Sequence, residues 1–152
     1  MKPDCCPEPL VGPAVGERTL VYAHASLGPL AIGEWPQRMS LHYQERDITL
    51  SVLNDILAGL YLAVDHQGRI RWLGKAHRNG GVAQRLREHL AHPERERVFA
   101  HLYVFETKSD CPTTALACAE GMAADLLELR GRLGPRTWPA ATRWNQLVAA
   151  AA

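Results

Sequence analysis

The sequence predicts an α+β domain of β-β-α-β-α order, a small three-stranded antiparallel sheet flanked by helices, carried behind an N-terminal extension over residues 1–56. Three observations predict it. Residues 60–64, an apolar run, and 69–73, where Ile70 and Trp72 alternate with Arg69 and Arg71, read as two strands separated by the turn segment Asp65-His66-Gln67-Gly68, a β-hairpin pattern. Val82, Leu86 and Leu90 recur at helical spacing ahead of Pro93. A β-branched and aromatic run, residues 98–107, then precedes a long Ala- and Leu-rich helical stretch. Strands and helices in this order favour a small α+β layer.

In chain order, residues 1–17 hold Pro3, Pro7, Pro9, Gly12, Pro13 and Gly16 and read as a mobile or draped arm. Thr19-Leu20-Val21-Tyr22-Ala23 predicts a short strand, broken by Gly28-Pro29, with Leu30-Ala31-Ile32 as its return partner. Residues 47–57 space Ile48, Val52, Leu53, Ile56 and Leu57 as a short amphipathic helix, with Asp47 as N-cap and Gly59 as its stop. The hairpin follows, and Asn79-Gly80-Gly81 forms a loop opening into a helix over 82–92 that Pro93 closes. After the third strand, Thr113 or Thr114 caps a helix running to about Arg132. Gly134-Pro135 ends it, and 138–148 is a terminal segment. The second unit therefore spans residues 57–148.

A chain of 152 residues suffices for one domain, or a small catalytic module plus an extension, and 47% hydrophobic residues provide a core. No apolar run approaches the ~20 residues that span a bilayer, and the N-terminus has no apolar stretch of signal-peptide type. A cytoplasmic protein is expected. Cys5, Cys6, Cys111 and Cys118 match no zinc spacing and make a poor disulfide framework, so they read as free thiols, with Cys118 a small core residue. Residues 1–65 carry four cations against eight acids, and residues 66–152 carry thirteen against eight. A basic C-terminal half suits a phosphate-rich partner. Fourteen arginines but three lysines, one of them Lys75, suggest a position that needs a compact ammonium.

Positions 116, 120, 123 and 127 share one face of the last helix and hold Leu, Glu, Ala and Leu. A carboxylate on an apolar stripe is costly without a positive partner, so Glu120 is a candidate ligand for a hard divalent cation. The alternative is a side chain that points outward between alanines. Arg85 and His89, four apart, project together from the side of their helix; the pair could grip a phosphate and shuttle a proton, or simply form a solvated flank. Strand alternation puts Tyr61 and Ala63 on one face and Leu60, Leu62 and Val64 on the other. A small neighbour leaves Tyr61 room for a partner, although a core tyrosine is the plain alternative.

Gly59-Leu60-Tyr61, ten residues, then Trp72-Leu73-Gly74-Lys75 resembles the signature of GIY-YIG endonucleases. Arg85-Leu86-Arg87-Glu88-His89 resembles that family's Arg-Leu-x-x-His helix, Ala119-Glu120-Gly121 its metal-binding Glu, and Trp144-Asn145 its closing Asn. The resemblance covers residues 57–147 and implies a three-stranded antiparallel sheet with the site on its face. It further implies that Tyr61, Lys75 and Arg85 orient water and the scissile phosphate, that Glu120 holds one Mg²⁺ or Mn²⁺ ion, and that Asn145 supports the site, with Tyr61 beside Lys75 as the expected base and His89 as the alternate. Arg69, Arg71, Trp72, His77, Arg78 and Arg87 would then contact DNA. Trp72 departs from the family, since an indole donates but cannot accept a proton.

The expected function is a metal-dependent DNA endonuclease, either a repair or structure-selective nuclease or a small restriction-type enzyme. The rival from another class is an inactive nucleic-acid-binding module of the same fold. With no helix-turn-helix or zinc finger, selectivity would come from residues 1–56, from the Arg69/Arg71 hairpin, or from a homodimer.

Overall fold

Seven uncharged residues, Ala58–Val64, are buried end to end, which suits a strand covered on both faces and paired along both edges. In the computed structural model, which describes residues 12–33, 36–77, 80–134 and 136–150, that strand lies inside a four-stranded antiparallel sheet. The strands are β1 (Gln37–Ser40), β2 (Ala58–Val64), β3 (Ile70–His77) and β4 (His101–Glu106), in spatial order β1-β4-β2-β3. The helices are α1 (Glu17–Leu27), α2 (Arg46–Leu53), α3 (Gly81–Leu90), α4 (Pro93–Val98) and α5 (Thr113–Leu126), and a π-helical turn, Asn145–Ala149, closes the chain. No helix among the described residues is long and apolar enough to cross a membrane.

The β2–β3 register pairs Tyr61 with Gly74 and Ala63 with Trp72. It also pairs Leu60 with Lys75 and Leu62 with Leu73. Directly opposed residues share a face, so the alternation read along residues 60–64 holds. Leu60, Leu62, Leu73 and Phe105 face one core with Leu116, Ala119 and Ala123 of α5 and Ala23 and Leu27 of α1. Tyr61, Ala63, Ala76, Leu102 and Val104 face a second core with Leu53, Val82 and Leu86.

Three differences from the sequence expectations have local causes. The sheet has four strands, not three: β1 pairs with β4 from Gln37↔Val104 to Ser40↔His101. Its only buried side chain is Met39, so β1 carries no alternating apolar signal. Residues 19–23, expected as a strand, lie within α1. The Thr19 hydroxyl accepts from the Gly16 N–H at 2.6 Å and closes the first turn, while Ala23 and Leu27, four apart, are buried. Val21 and Tyr22, whose β-propensity suggested a strand, are partly exposed, at 43% and 38%. Residues 30–32 likewise contribute one isolated bridge, Ala31 to Thr107, rather than a strand.

Other boundaries shift. α2 starts at Arg46 and ends at Leu53, α3 ends at Leu90, and Pro93 opens α4 rather than merely closing α3. Pro112 is the cap residue of α5, with no side-chain capping bond from Thr113 or Thr114. α5 stops at Leu126, beyond which Glu128 turns through a φ of 57° and buries Leu129. Residues 12–15 drape along the hairpin, with the Gly12 N–H donating to Ile70 C=O at 2.7 Å and the Val15 N–H to Gly68 C=O at 2.8 Å. Cys111 and Cys118 are free and Cys118 is buried, as expected, and Cys111 is buried as well; Cys5 and Cys6 lie outside the described residues.

Candidate active site

β3 is an edge strand, and one of its outward carbonyls needs a partner. The Leu73 C=O accepts from Trp138 Nε1 at 3.1 Å and from Arg136 Nη2 at 2.9 Å. The segment after α5 thereby lies against the strand edge at the middle of the Trp72-Leu73-Gly74-Lys75 run.

On the α3 face, the Tyr61 ring lies over Gly74. A β-carbon at position 74 would come within 2.5 Å of the Tyr61 Cζ and Oη atoms, so only glycine leaves the ring its place. Gly59 is confined in the same way, since a β-carbon there would meet the Phe105 carbonyl oxygen at 2.5 Å. The glycines of both tripeptides are thus fixed by close packing.

Tyr61 is 2% exposed and its Oη lies 2.8 Å from Nε2 of His89, itself buried. Trp72 meets the His89 ring edge-on, with centroids 4.8 Å apart, and Phe99 lies beyond at 5.7 Å. The other imidazole nitrogen, Nδ1, stands 3.3 Å from Arg95 Nη1. Burial pushes the Tyr61 phenol up to about 12, only partly offset by the Arg85 and Arg136 charges. Burial, with Arg95, Arg85 and Arg136 nearby, pushes His89 down to about 4, so its ring is neutral at physiological pH.

On the opposite face Glu120 is 2% exposed, which overturns the reading of a side chain pointing outward. Its Oε1 lies 3.3 Å from Lys75 Nζ and its Oε2 3.4 Å from Arg136 Nη2. Burial pushes the carboxyl above its ordinary range, while Lys75, Arg136 and Arg85 draw it back. Lys75 lies inside β3, not after it, on the Glu120 face and not the Tyr61 face.

Arg136 joins the two faces. From the strand edge its guanidinium reaches Glu120, lies 4.7 Å from the Trp72 ring centroid and 5.3 Å from that of Trp138, and its buried Nε has no hydrogen-bond partner among the described residues. Arg95 also lies over Trp72, at 4.3 Å. A cavity of about 210 Å³ opens beside them, lined among others by Arg71, Trp72, His92, Arg95 and Phe99.

The other expected site residues are placed less tightly. Arg85, half exposed, pairs with Glu88 at 3.2 Å and reaches Tyr61 and Glu120 through its charge. Asn145 is exposed at the start of the terminal turn, which packs on α5 and the Gly28–Leu30 turn; among the described residues its side chain makes no hydrogen bond to the site. Arg69 holds the Gly12 carbonyl, Arg71 pairs with Asp65 at 2.8 Å, His77 Nε2 lies 2.6 Å from the Cys111 carbonyl oxygen, and Arg87 reaches Asn54. Arg78 falls outside the described residues. Sequence reasoning missed Arg95, Arg136 and Trp138. A Trp two residues from an Arg after Gly134-Pro135 was the one available signal.

No family model, curated protein or solved structure matches this chain.

Proposed function

We propose that this chain is a metal-dependent DNA endonuclease of the GIY-YIG type, acting at the β3 edge. One observation carries the reading: residues chosen from separate sequence motifs converge there. Tyr61 interlocks with Gly74 and meets His89 on one face of β3, Lys75 meets Glu120 on the other, and Arg136 at the strand edge reaches both Glu120 and Trp72. Lys75, Arg85, Arg95 and Arg136 outweigh Glu120 and Glu88 and leave a surplus of positive charge for a phosphate.

The donor set suits a small hard cation. Among the described residues no group of three or more His, Cys, Asp or Glu side chains could hold a metal, so a Mg²⁺ or Mn²⁺ ion would rest on Glu120 with water and phosphate oxygens completing its shell. Lys75 and Arg136 stand at 3.3 and 3.4 Å from the two Glu120 oxygens, so a cation there would have to displace one of them. When bound, the cation would polarise the phosphate and stabilise the leaving oxygen. Arg85 would grip the phosphate, and Tyr61, backed by His89, would align it with water.

Supercoiled plasmid incubated with Mg²⁺, and separately with EDTA, tests the reading. Nicking or linearisation with the metal alone is expected, and binding should weaken about 10²-fold for a roughly fourfold rise in salt if four cations contact phosphates. Intact plasmid under both conditions overturns the enzyme. A second reading, an inactive nucleic-acid-binding module, is favoured by the cations already on both Glu120 oxygens and by the indole at position 72. It predicts salt-sensitive binding without cleavage.

A further inference from the structure

The 2.8 Å contact between Tyr61 Oη and His89 Nε2 has two possible directions, and which one holds decides what Tyr61 can offer a substrate. Either the phenol donates to a bare Nε2, or a protonated Nε2 donates to the phenol. The contact alone does not distinguish them, because the imidazole carries its proton on one nitrogen or the other.

The far side of the ring does. His89 Nδ1 lies 3.3 Å from Arg95 Nη1. A guanidinium has five N–H donors and no acceptor, so Nδ1 must meet it with a bare lone pair. A doubly protonated ring would aim an N–H at a cation across that gap, in a pocket closed by Trp72 and Phe99. The depressed basicity of His89 points the same way. Arg95 is itself held over the Trp72 ring at 4.3 Å, so the donor is fixed in position.

We propose that Arg95 is a positioning residue that holds His89 as the neutral tautomer protonated at Nε2, so that His89 donates to Tyr61 Oη and leaves the phenolic proton free for a phosphate oxygen or water. Among the described residues His89 is the hydrogen-bond partner of Tyr61 Oη, so no other protein group there takes up the phenolic proton. Both imidazole nitrogens are then engaged, and His89 has no lone pair to offer water. Tyr61 enters the reaction as a hydrogen-bond donor whose oxygen is already supported from behind. The role toward phosphate rests on the nuclease reading above, whereas the tautomer does not.

The test is long-range proton–nitrogen correlation NMR on the free, full-length protein labelled with ¹⁵N-histidine at neutral pH, with His89 assigned by its loss in His89→Gln. In the wild type, Nδ1 is expected at the shift of a bare imine nitrogen and Nε2 at that of a protonated one. In Arg95→Met both signals should move toward each other as the tautomers mix, and Arg95→Lys, which keeps a donor, should restore the wild-type pattern. A wild-type His89 protonated at Nδ1, or an Arg95→Met spectrum identical to wild type, overturns the proposal. The measurement involves no DNA and no metal. Intact plasmid alongside the expected tautomer would therefore overturn only the nuclease reading, and cleavage alongside the opposite tautomer would overturn only this proposal.

Discussion

A β-carbon on Gly74 would stand 2.5 Å from the Tyr61 phenolic oxygen, so the Tyr61 ring occupies the space that any other side chain at position 74 would fill. The two residues face each other across β2 and β3, and Tyr61 is buried on its other side by His89 and the α3 core. The ring has nowhere to retreat. Gly74→Ala is expected to destabilise the fold by ~1–3 kcal/mol through overpacking, read as a lower urea midpoint with an unchanged slope. It should also displace Oη from His89 and depress any cleavage more than stability alone explains. A midpoint equal to wild type would mean that the ring is not confined as described.

Glu120 lies on α5 with each carboxylate oxygen near a different cation. Glu120→Gln preserves shape and removes the charge. The expected outcome is loss of metal-dependent cleavage with DNA binding retained or tightened, because Lys75 and Arg136 lose their internal counter-ion. Stability should stay within about 1 kcal/mol of wild type, since burial already opposes the charge and Lys75, a third exposed, remains hydrated. Cleavage at the wild-type rate would remove Glu120 from the chemistry.

His89 links the site to acid stability. Its basicity is depressed from 6.5 to about 4 by burial and by the arginines around it. Between those values the unfolded chain binds a proton that the folded chain does not, so stability is complete above pH 6.5 and declines as the pH falls toward 4. Glu120 runs the other way: its raised carboxyl takes up a proton more readily when folded, so acidification relieves part of its burial cost. Asp65 adds to acid sensitivity only below its ordinary range, because backbone and Arg71 hydrogen bonds outweigh its burial. Urea unfolding of the wild type and His89→Gln at pH 7 and near pH 4.5 separates these contributions. The variant should lose roughly 2–3 kcal/mol less than the wild type over that interval. Equal losses would show that His89 titrates normally.

The features legible in the sequence are those written in local pattern. The hairpin, the opposite facing of Tyr61 and Leu60, and the apolar stripe of α3 follow from alternation, turn chemistry and helical period within a dozen residues. Glu120 stood out because a carboxylate interrupted an apolar stripe, and its burial bears that out. β1 was hidden because a polar edge strand buries only Met39, and α1 because Thr19-Leu20-Val21-Tyr22 has strand propensity that burial of Ala23 and Leu27 overrides. Arg136 was hidden for another reason. It is one of fourteen arginines, and its role arises from the chain folding back over the edge of β3, which no local pattern encodes. The first 56 residues read as an extension, yet Leu27 and Leu53 complete the two cores on either side of the sheet.

Trp72 stands where the family resemblance would put a tyrosine, and its surroundings define what it does instead. Two guanidiniums lie over its ring, Arg95 at 4.3 Å and Arg136 at 4.7 Å, and His89 meets it edge-on at 4.8 Å. Indole is the strongest of the aromatic faces for a cation, and each such contact contributes ~0.5–1 kcal/mol where it is partly exposed. The ring therefore holds in place the arginine that faces His89 and the arginine that faces Glu120. Trp72→Tyr keeps a smaller face and is expected to cost less than ~10-fold in cleavage, with Arg95 and Arg136 still seated. Trp72→Ala frees both side chains at once. It should lose ~10²-fold in rate, since displacement of groups that orient the reacting atoms carries a penalty of that order. Because both arginines also hold other partners, stability should fall by only about 1–2 kcal/mol. Single-turnover cleavage rates alongside urea midpoints for both variants separate anchoring from bulk. If Trp72→Ala cut DNA as fast as Trp72→Tyr, the ring would be a wall of the sheet face and not the anchor of its two arginines.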